Sequence, residues 1–206
     1  MERRDWVILK ALLVGYFISR STLREGARLM KKLWVALLIF LMPFLATYQV
    51  IGEGLFKVGE KAPSFALTAI TGETLGLKTY KGKVVVLGLF HICEPCMIQG
   101  TALQKVTELT KGKDVAVLGV NSSGDSKKSI TEFLSSFPVK VTYPYLLDPN
   151  KVTDKLYGGG KFIPNVYVID QQGVIRWQRV GKMDLAEEEV IVAEVEKLLA
   201  DGHSKM

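Results

Sequence analysis

Val84-Val85-Val86-Leu87-Gly88-Leu89-Phe90-His91-Ile92-Cys93-Glu94-Pro95-Cys96 is the stretch on which the fold turns. Seven apolar residues in a row suit a strand buried on both faces. The residues after Cys96 carry Leu103, Val106 and Leu109 at helical spacing, with Gly112 closing the run. Cys93 and Cys96, the two cysteines of the chain, therefore stand as C-x-x-C at a strand-to-helix junction. That placement points to thiol–disulfide redox chemistry. A purely structural disulfide would close too small a loop to stabilise much. Structural zinc usually takes four ligands, and the sequence holds no second pair.

Outward from this motif, strands and helices alternate. Phe65 and Leu67, the turn Thr71-Gly72, then Leu75 and Leu77 predict an N-terminal hairpin. Residues 115–120 predict a second buried strand. Ser126 caps a helix in which Ile130, Phe133, Leu134 and Phe137 follow i, i+3, i+4, i+7 up to Pro138. Residues 166–170 and 174–177, joined by Gln171-Gln172-Gly173, predict a second hairpin. Asp184 caps a last helix with Glu187, Glu188 and Glu189 in its first turn and Ile191, Val195 and Leu198 inward. The expected class is α/β, a mixed sheet covered on both faces.

The net charge of +6 is local. Residues 1–32 hold eight basic side chains against three acidic ones, so the rest is nearly neutral and no basic groove for nucleic acid is implied. Residues 33–51 carry no charge and include Trp34 and Tyr48 near the two ends. As a helix this stretch spans ~28 Å, enough to cross a hydrocarbon core, and Pro43 is better tolerated in a membrane helix than in a soluble one. Leu45-Ala46-Thr47 is a poor signal-peptidase site, so the segment reads as an uncleaved anchor. The positive-inside rule puts residues 1–32 in the cytoplasm and everything after Gly52 outside it, where disulfides persist. Residues 6–18, interrupted by Lys10, fit an interfacial helix, a poor first span, or sequence upstream of a start at Met30. The expected organisation is a basic segment (1–32), a transmembrane anchor (33–51), a tether (52–57) and one domain (58–201).

Three spaced motifs carry a family resemblance. They are Val58-Gly59-Glu60-Lys61-Ala62-Pro63-Ser64-Phe65 with Tyr80-Lys81-Gly82-Lys83-Val84-Val85-Val86, then Cys93-Glu94-Pro95-Cys96, then Ile163-Pro164-Asn165-Val166-Tyr167-Val168-Ile169-Asp170-Gln171-Gln172-Gly173. Together they resemble the membrane-anchored TlpA/ResA-like branch of the thioredoxin (AhpC/TSA-redoxin) superfamily. The resemblance implies a thioredoxin fold with an N-terminal β-hairpin extension. It also implies electron exchange with protein disulfides outside the cytoplasm, often in cytochrome c maturation, fed by a membrane thiol donor. It needs no cofactor beyond the Cys93/Cys96 pair. The departures are Ile92, where relatives often carry tryptophan, Gly88-Leu89 in place of an aromatic pair, and Leu87 and Gln99 where proton-handling acids stand in relatives.

In this reading Cys93, at the helix end, is the attacking thiol and Cys96 the resolving one. Pro95 suits the first helical turn. Glu94 either disfavours the Cys93 thiolate by opposing the helix dipole, which favours a reductant, or is a solvated surface residue. Pro164 is the expected cis-proline opposite the cysteines, where the Ile163 backbone can pair with a substrate strand. Gly158-Gly159-Gly160 predicts a nearby loop. His91 has three readings: structural, redox-tuning, or third ligand of a copper site with Cys93 and Cys96. His203 and Trp177 read as outside the site. Two rival functions stay open: a copper carrier, whose cysteines are generally spaced by three residues, and a thiol peroxidase, which usually has threonine at the position of Phe90.

Overall fold

The computed structural model describes residues 58–157, 163–182 and 187–203. The anchor at 33–51, the segments 1–32 and 52–57, Gly158-Gly159-Gly160 and Asp184 lie outside the described residues. No helix among the described residues is long and apolar enough to cross a membrane.

The strands are β1 (Ala66–Ala69), β2 (Thr74–Gly76), β3 (Val84–Phe90), β4 (Val115–Asn121), β5 (Tyr145–Leu147), β6 (Asn165–Ile169) and β7 (Ile175–Val180). The helices are α1 (Glu94–Leu109), α2 (Lys127–Ser135), α3 (Val152–Leu156) and α4 (Glu187–His203), with a 3-10 turn at Leu77–Tyr80. The strands form one mixed sheet in the order β2-β1-β5-β4-β3-β6-β7. β3 runs parallel to β4 and β4 to β5, while β6 and β7 are antiparallel to their inner neighbours. The expected N-terminal hairpin forms, with Gly72 at φ 107 in its turn, and attaches to the sheet through β5.

Every residue of β3 is buried, because both faces of this central strand are covered. Val84, Val86 and Phe90 point into a core beneath α1, α2 and α4; Val85, Leu87 and Leu89 point into a second core with Phe65, Tyr157 and Tyr167. That alternation is the period of two expected of a strand. Gly88 is the exception on the first face. A Cβ there would lie 2.7 Å from the Phe90 ring and 2.6 Å from Leu103, so glycine makes room for both.

Several expectations need correcting. The first helix begins at Glu94 with Cys93 as its cap, as Pro95 in its first turn implies, but Leu109 at its far end is exposed rather than part of the buried stripe with Leu103 and Val106. The second stops at Ser135, short of Phe137. There the N–H groups of Ser136 and Phe137 donate to Phe133 and Leu134, three residues back, and both serine hydroxyls return to nearby carbonyls. Phe137 stays buried and meets Phe133 edge-on at 5.0 Å. β7 reaches Val180, well beyond residue 177, because Asn165 and Val166 pair with Val180 and Arg179. β5 and α3 lack any counterpart in the sequence reading. Asp148 fixes α3: its buried carboxylate accepts the N–H groups of Val152 and Thr153 and the Thr153 hydroxyl.

Candidate active site

β3 ends at Phe90, and three residues later Cys93 takes extended backbone (φ −155, ψ 157) as the N-cap of α1. Its sulfur accepts the Cys96 N–H at 3.3 Å, and its carbonyl accepts the Met97 N–H at 3.0 Å. A helix N-terminus has N–H groups without intrahelical partners and carries partial positive charge. The Cys93 sulfur thus sits where a thiolate is favoured. Pro95 occupies the first helical turn, where its missing N–H costs nothing.

Cys93 and Cys96 are joined by a disulfide with their Cα atoms 5.2 Å apart. Their exposures differ. Cys93 is half-buried, whereas Cys96 is fully buried in the core beneath α1, and its sulfur accepts the His91 N–H at 3.4 Å. One sulfur can be approached from solvent and the other cannot. Exposed Ile92 and Glu94 flank the reachable one.

The Ile163-Pro164 bond is cis. Leu89 pairs with Asn165 in the antiparallel β3–β6 ladder, so continuing that register sets Pro164 level with Phe90 and Ile163 level with His91. Ile163 is half-buried and packs against both cores, while Pro164 is buried and its carbonyl accepts the Gly181 N–H. Both residues therefore stand at the end of the sheet where Cys93 lies.

His91 is half-buried and continues the face that carries Leu87 and Leu89. Burial pushes its imidazole below the ordinary value; the carboxylates of Asp154 and Asp125 oppose this, and Lys151 adds to the lowering. Its Nε2 and Asp154 Oδ1 are both buried without a hydrogen-bond partner. Asp125 is held by Asn121 Nδ2 at 2.8 Å and by the Ser123 hydroxyl. This polar surround escaped the sequence reading because its members follow β4 and β5, far from the motif in the chain. Leu87 is fully buried among apolar side chains. Gln99 is also fully buried, one turn beyond Cys96, and neither its amide oxygen nor its nitrogen finds a partner. Among the described residues no three His, Cys, Asp or Glu side chains gather into a metal-holding group. Trp177 packs against the core beneath α1.

Comparison with known proteins places this arrangement. The AhpC/TSA family profile matches residues 58–178. The thioredoxin-like protein YneN of Bacillus subtilis is 32% identical over 170 residues, which is 78% of this chain and 96% of YneN. The thiol-disulfide oxidoreductase ResA of Bacillus anthracis is 25% identical over 127 residues, covering 61% of this chain and 71% of ResA. Among solved structures, a Chlorobium tepidum protein assigned as the thiol:disulfide interchange protein DsbE superposes with a TM-score of 0.62 at 29% identity, over 71% of this chain and 99% of that one. With the C-x-x-C pair capping the first long helix of a thioredoxin-like sheet, the chain belongs to the AhpC/TSA family, among its TlpA/ResA-like thioredoxin-fold thiol–disulfide oxidoreductases.

Proposed function

We propose that this protein is a membrane-tethered thiol–disulfide oxidoreductase whose domain works outside the cytoplasm, reducing or exchanging disulfides of client proteins through Cys93 and Cys96. The observation that carries the reading is the unequal exposure of two joined sulfurs at a helix N-terminus. In the dithiol form the Cys93 thiolate attacks one sulfur of a client disulfide. The other client sulfur leaves as a thiolate and takes up a proton, which leaves a mixed disulfide. Cys96 then loses its proton and attacks Cys93, the client's second sulfur departs, and the Cys93–Cys96 bond reforms. Two electrons have passed to the client, and a membrane thiol donor restores the dithiol by the same exchange.

Ile163 stands at the same end of the sheet as Cys93, where an extended client segment can pair with its backbone. Glu94 and His91 are the polar groups placed to bias the couple. The uncharged stretch 33–51 supports the tether, and the basic residues before it support an outward-facing domain. The relatives named as a thiol-disulfide oxidoreductase and a thiol:disulfide interchange protein support protein disulfides as the clients, and the family resemblance of the sequence motifs adds apocytochrome c as a candidate.

Insulin-disulfide reduction by the purified protein tests this, run beside copper binding and peroxide turnover to separate the carrier and peroxidase readings. Cys93→Ser is expected to abolish insulin reduction. Unchanged turnover in that variant would remove the assignment of the attacking thiol.

A further inference from the structure

The end of the sheet opposite the cysteines holds a hollow of about 770 Å³ with four lysines at its rim: Lys61, Lys78, Lys81 and Lys83, beside Tyr80 and Asp170. All four are exposed. Lys61 Nζ donates to the Gln172 carbonyl at 2.6 Å, and Lys83 makes a loose exposed pair with Asp114 at 3.8 Å, of the kind worth little in water. Asp170 does not neutralise the group. Its carboxylate is 4% exposed and already accepts the Gln172 and Val174 N–H groups and Arg176 Nε at 2.6 Å. Outside residues 1–32 the sequence is within one charge of neutral. Four lysines around one hollow are therefore a local concentration, not a sample of a basic surface.

The topology gives this hollow an orientation. Lys81 and Lys83 lead into the start of β3, and β3 carries the chain roughly 20 Å along its seven residues to the C-x-x-C end. The described chain also begins at this end: Gly59 N–H donates to Ile175, Ile175 N–H to Glu60, and Ala62 N–H to Gly173. Six residues, 52–57, separate Val58 from the stretch 33–51. Fully extended, they reach no more than about 20 Å. If residues 33–51 anchor the chain, a tether of that length limits how far Val58 can stand from the bilayer surface.

We infer that the hollow rimmed by Lys61, Lys78, Lys81 and Lys83 docks on anionic lipid headgroups, standing the domain on the bilayer with Cys93 turned away from it. The inference rests on the membrane-tether reading above. Phosphate groups of an anionic lipid are the matching chemistry, and each lysine near such a surface contributes about a five-fold gain in binding. The contacts are electrostatic, so salt weakens them.

The full-length chain, reconstituted in phosphatidylcholine vesicles with or without phosphatidylglycerol, tests the inference by amine labelling read by mass spectrometry. Labelling of the four lysines is expected to fall about five-fold in the anionic vesicles and to recover in high salt. Lys127 and Lys128, which follow β4 at the other end, are expected to label equally in both. The double variant Lys78→Glu/Lys81→Glu, at exposed positions that tolerate charge, is expected to lose the lipid-dependent protection of Lys61 and Lys83. Equal labelling in both lipids overturns the docking, as does equal protection by inorganic phosphate with neutral vesicles. Release of the chain from neutral vesicles by an alkaline wash overturns the tether itself, and the docking with it.

Discussion

Gly88 sits in the middle of β3, and replacing it with alanine tests how the motif is held. Its backbone is not in the left-handed region, so conformational strain does not enter. What enters is space. The new methyl would stand 2.6 Å from Leu103 Cδ1 and 2.7 and 2.8 Å from two atoms of the Phe90 ring. Ordinary contacts are 3.5–4.0 Å, so something must move by close to 1 Å. Leu103 is fully buried on α1, and Phe90 is 1% exposed and stacked on Tyr145 with centroids 5.8 Å apart. Neither side chain has open space to enter. Overpacking of this kind costs about 1–3 kcal/mol, offset by up to ~1 kcal/mol from the lost flexibility of glycine in the unfolded chain. The expected net loss is about 1–2 kcal/mol, a fall in melting temperature of roughly 2–8 °C for a domain of this size. Because Phe90 leads directly into the motif and Leu103 lies on the helix that Cys93 caps, insulin reduction should fall as well. The assay is urea denaturation of wild type, Gly88→Ala, Leu103→Ala and the double variant. Removing Leu103 should cost less in the alanine background than in wild type, since it relieves the clash. A Gly88→Ala protein as stable as wild type, or a double variant whose losses simply add, would refute the packing account.

Two further outcomes follow from buried polar groups. Burial lowers the His91 imidazole, with Asp154 and Asp125 opposing and Lys151 assisting, so the folded state binds this proton less readily than the unfolded state. That contribution leaves stability intact above the unfolded value near 6.5 and erodes it as the pH falls through that value. His91→Gln should therefore flatten the fall in urea midpoint between about pH 7 and 5, and parallel curves for the two proteins would contradict the assignment. Gln99 is buried with neither amide atom paired, so Gln99→Leu should stabilise the oxidised protein by about 1 kcal/mol or more. A lower midpoint in urea would show that the amide is satisfied.

The parts of the fold legible in the sequence are those whose pattern is local and long. β3 and β4 read as unbroken apolar runs because both of their faces are covered; α4 shows its inward stripe directly, and α1 does so at Leu103 and Val106 but not at Leu109, which is 54% exposed at the helix end. Ile191, Val195 and Leu198 are buried as the spacing requires. β5 was not legible. It is three residues between Pro144 and Asp148, too short for any period, and it exists because β4 and β1 each pair with it. The place of the N-terminal hairpin in the sheet depends on that unseen strand. α3, five residues long, was hidden for a similar reason: a buried side chain, Asp148, fixes its start, and Lys151 precedes it in the left-handed conformation (φ 53). At the site, the cysteines and the cis bond at Pro164 could be read from motifs. The surround of His91 could not, since it is assembled from the segments that follow three parallel strands: the loop after β4 with Asp125, and Lys151 with Asp154 of α3 after β5.

Equilibrating the purified protein across a series of thiol–disulfide buffers, with free thiols counted at each potential, is the most direct test of the redox account. A two-electron transition in which both cysteines open and close together, absent in Cys93→Ser and Cys96→Ser, is the predicted result. A thiol count that stays constant across the series would contradict it.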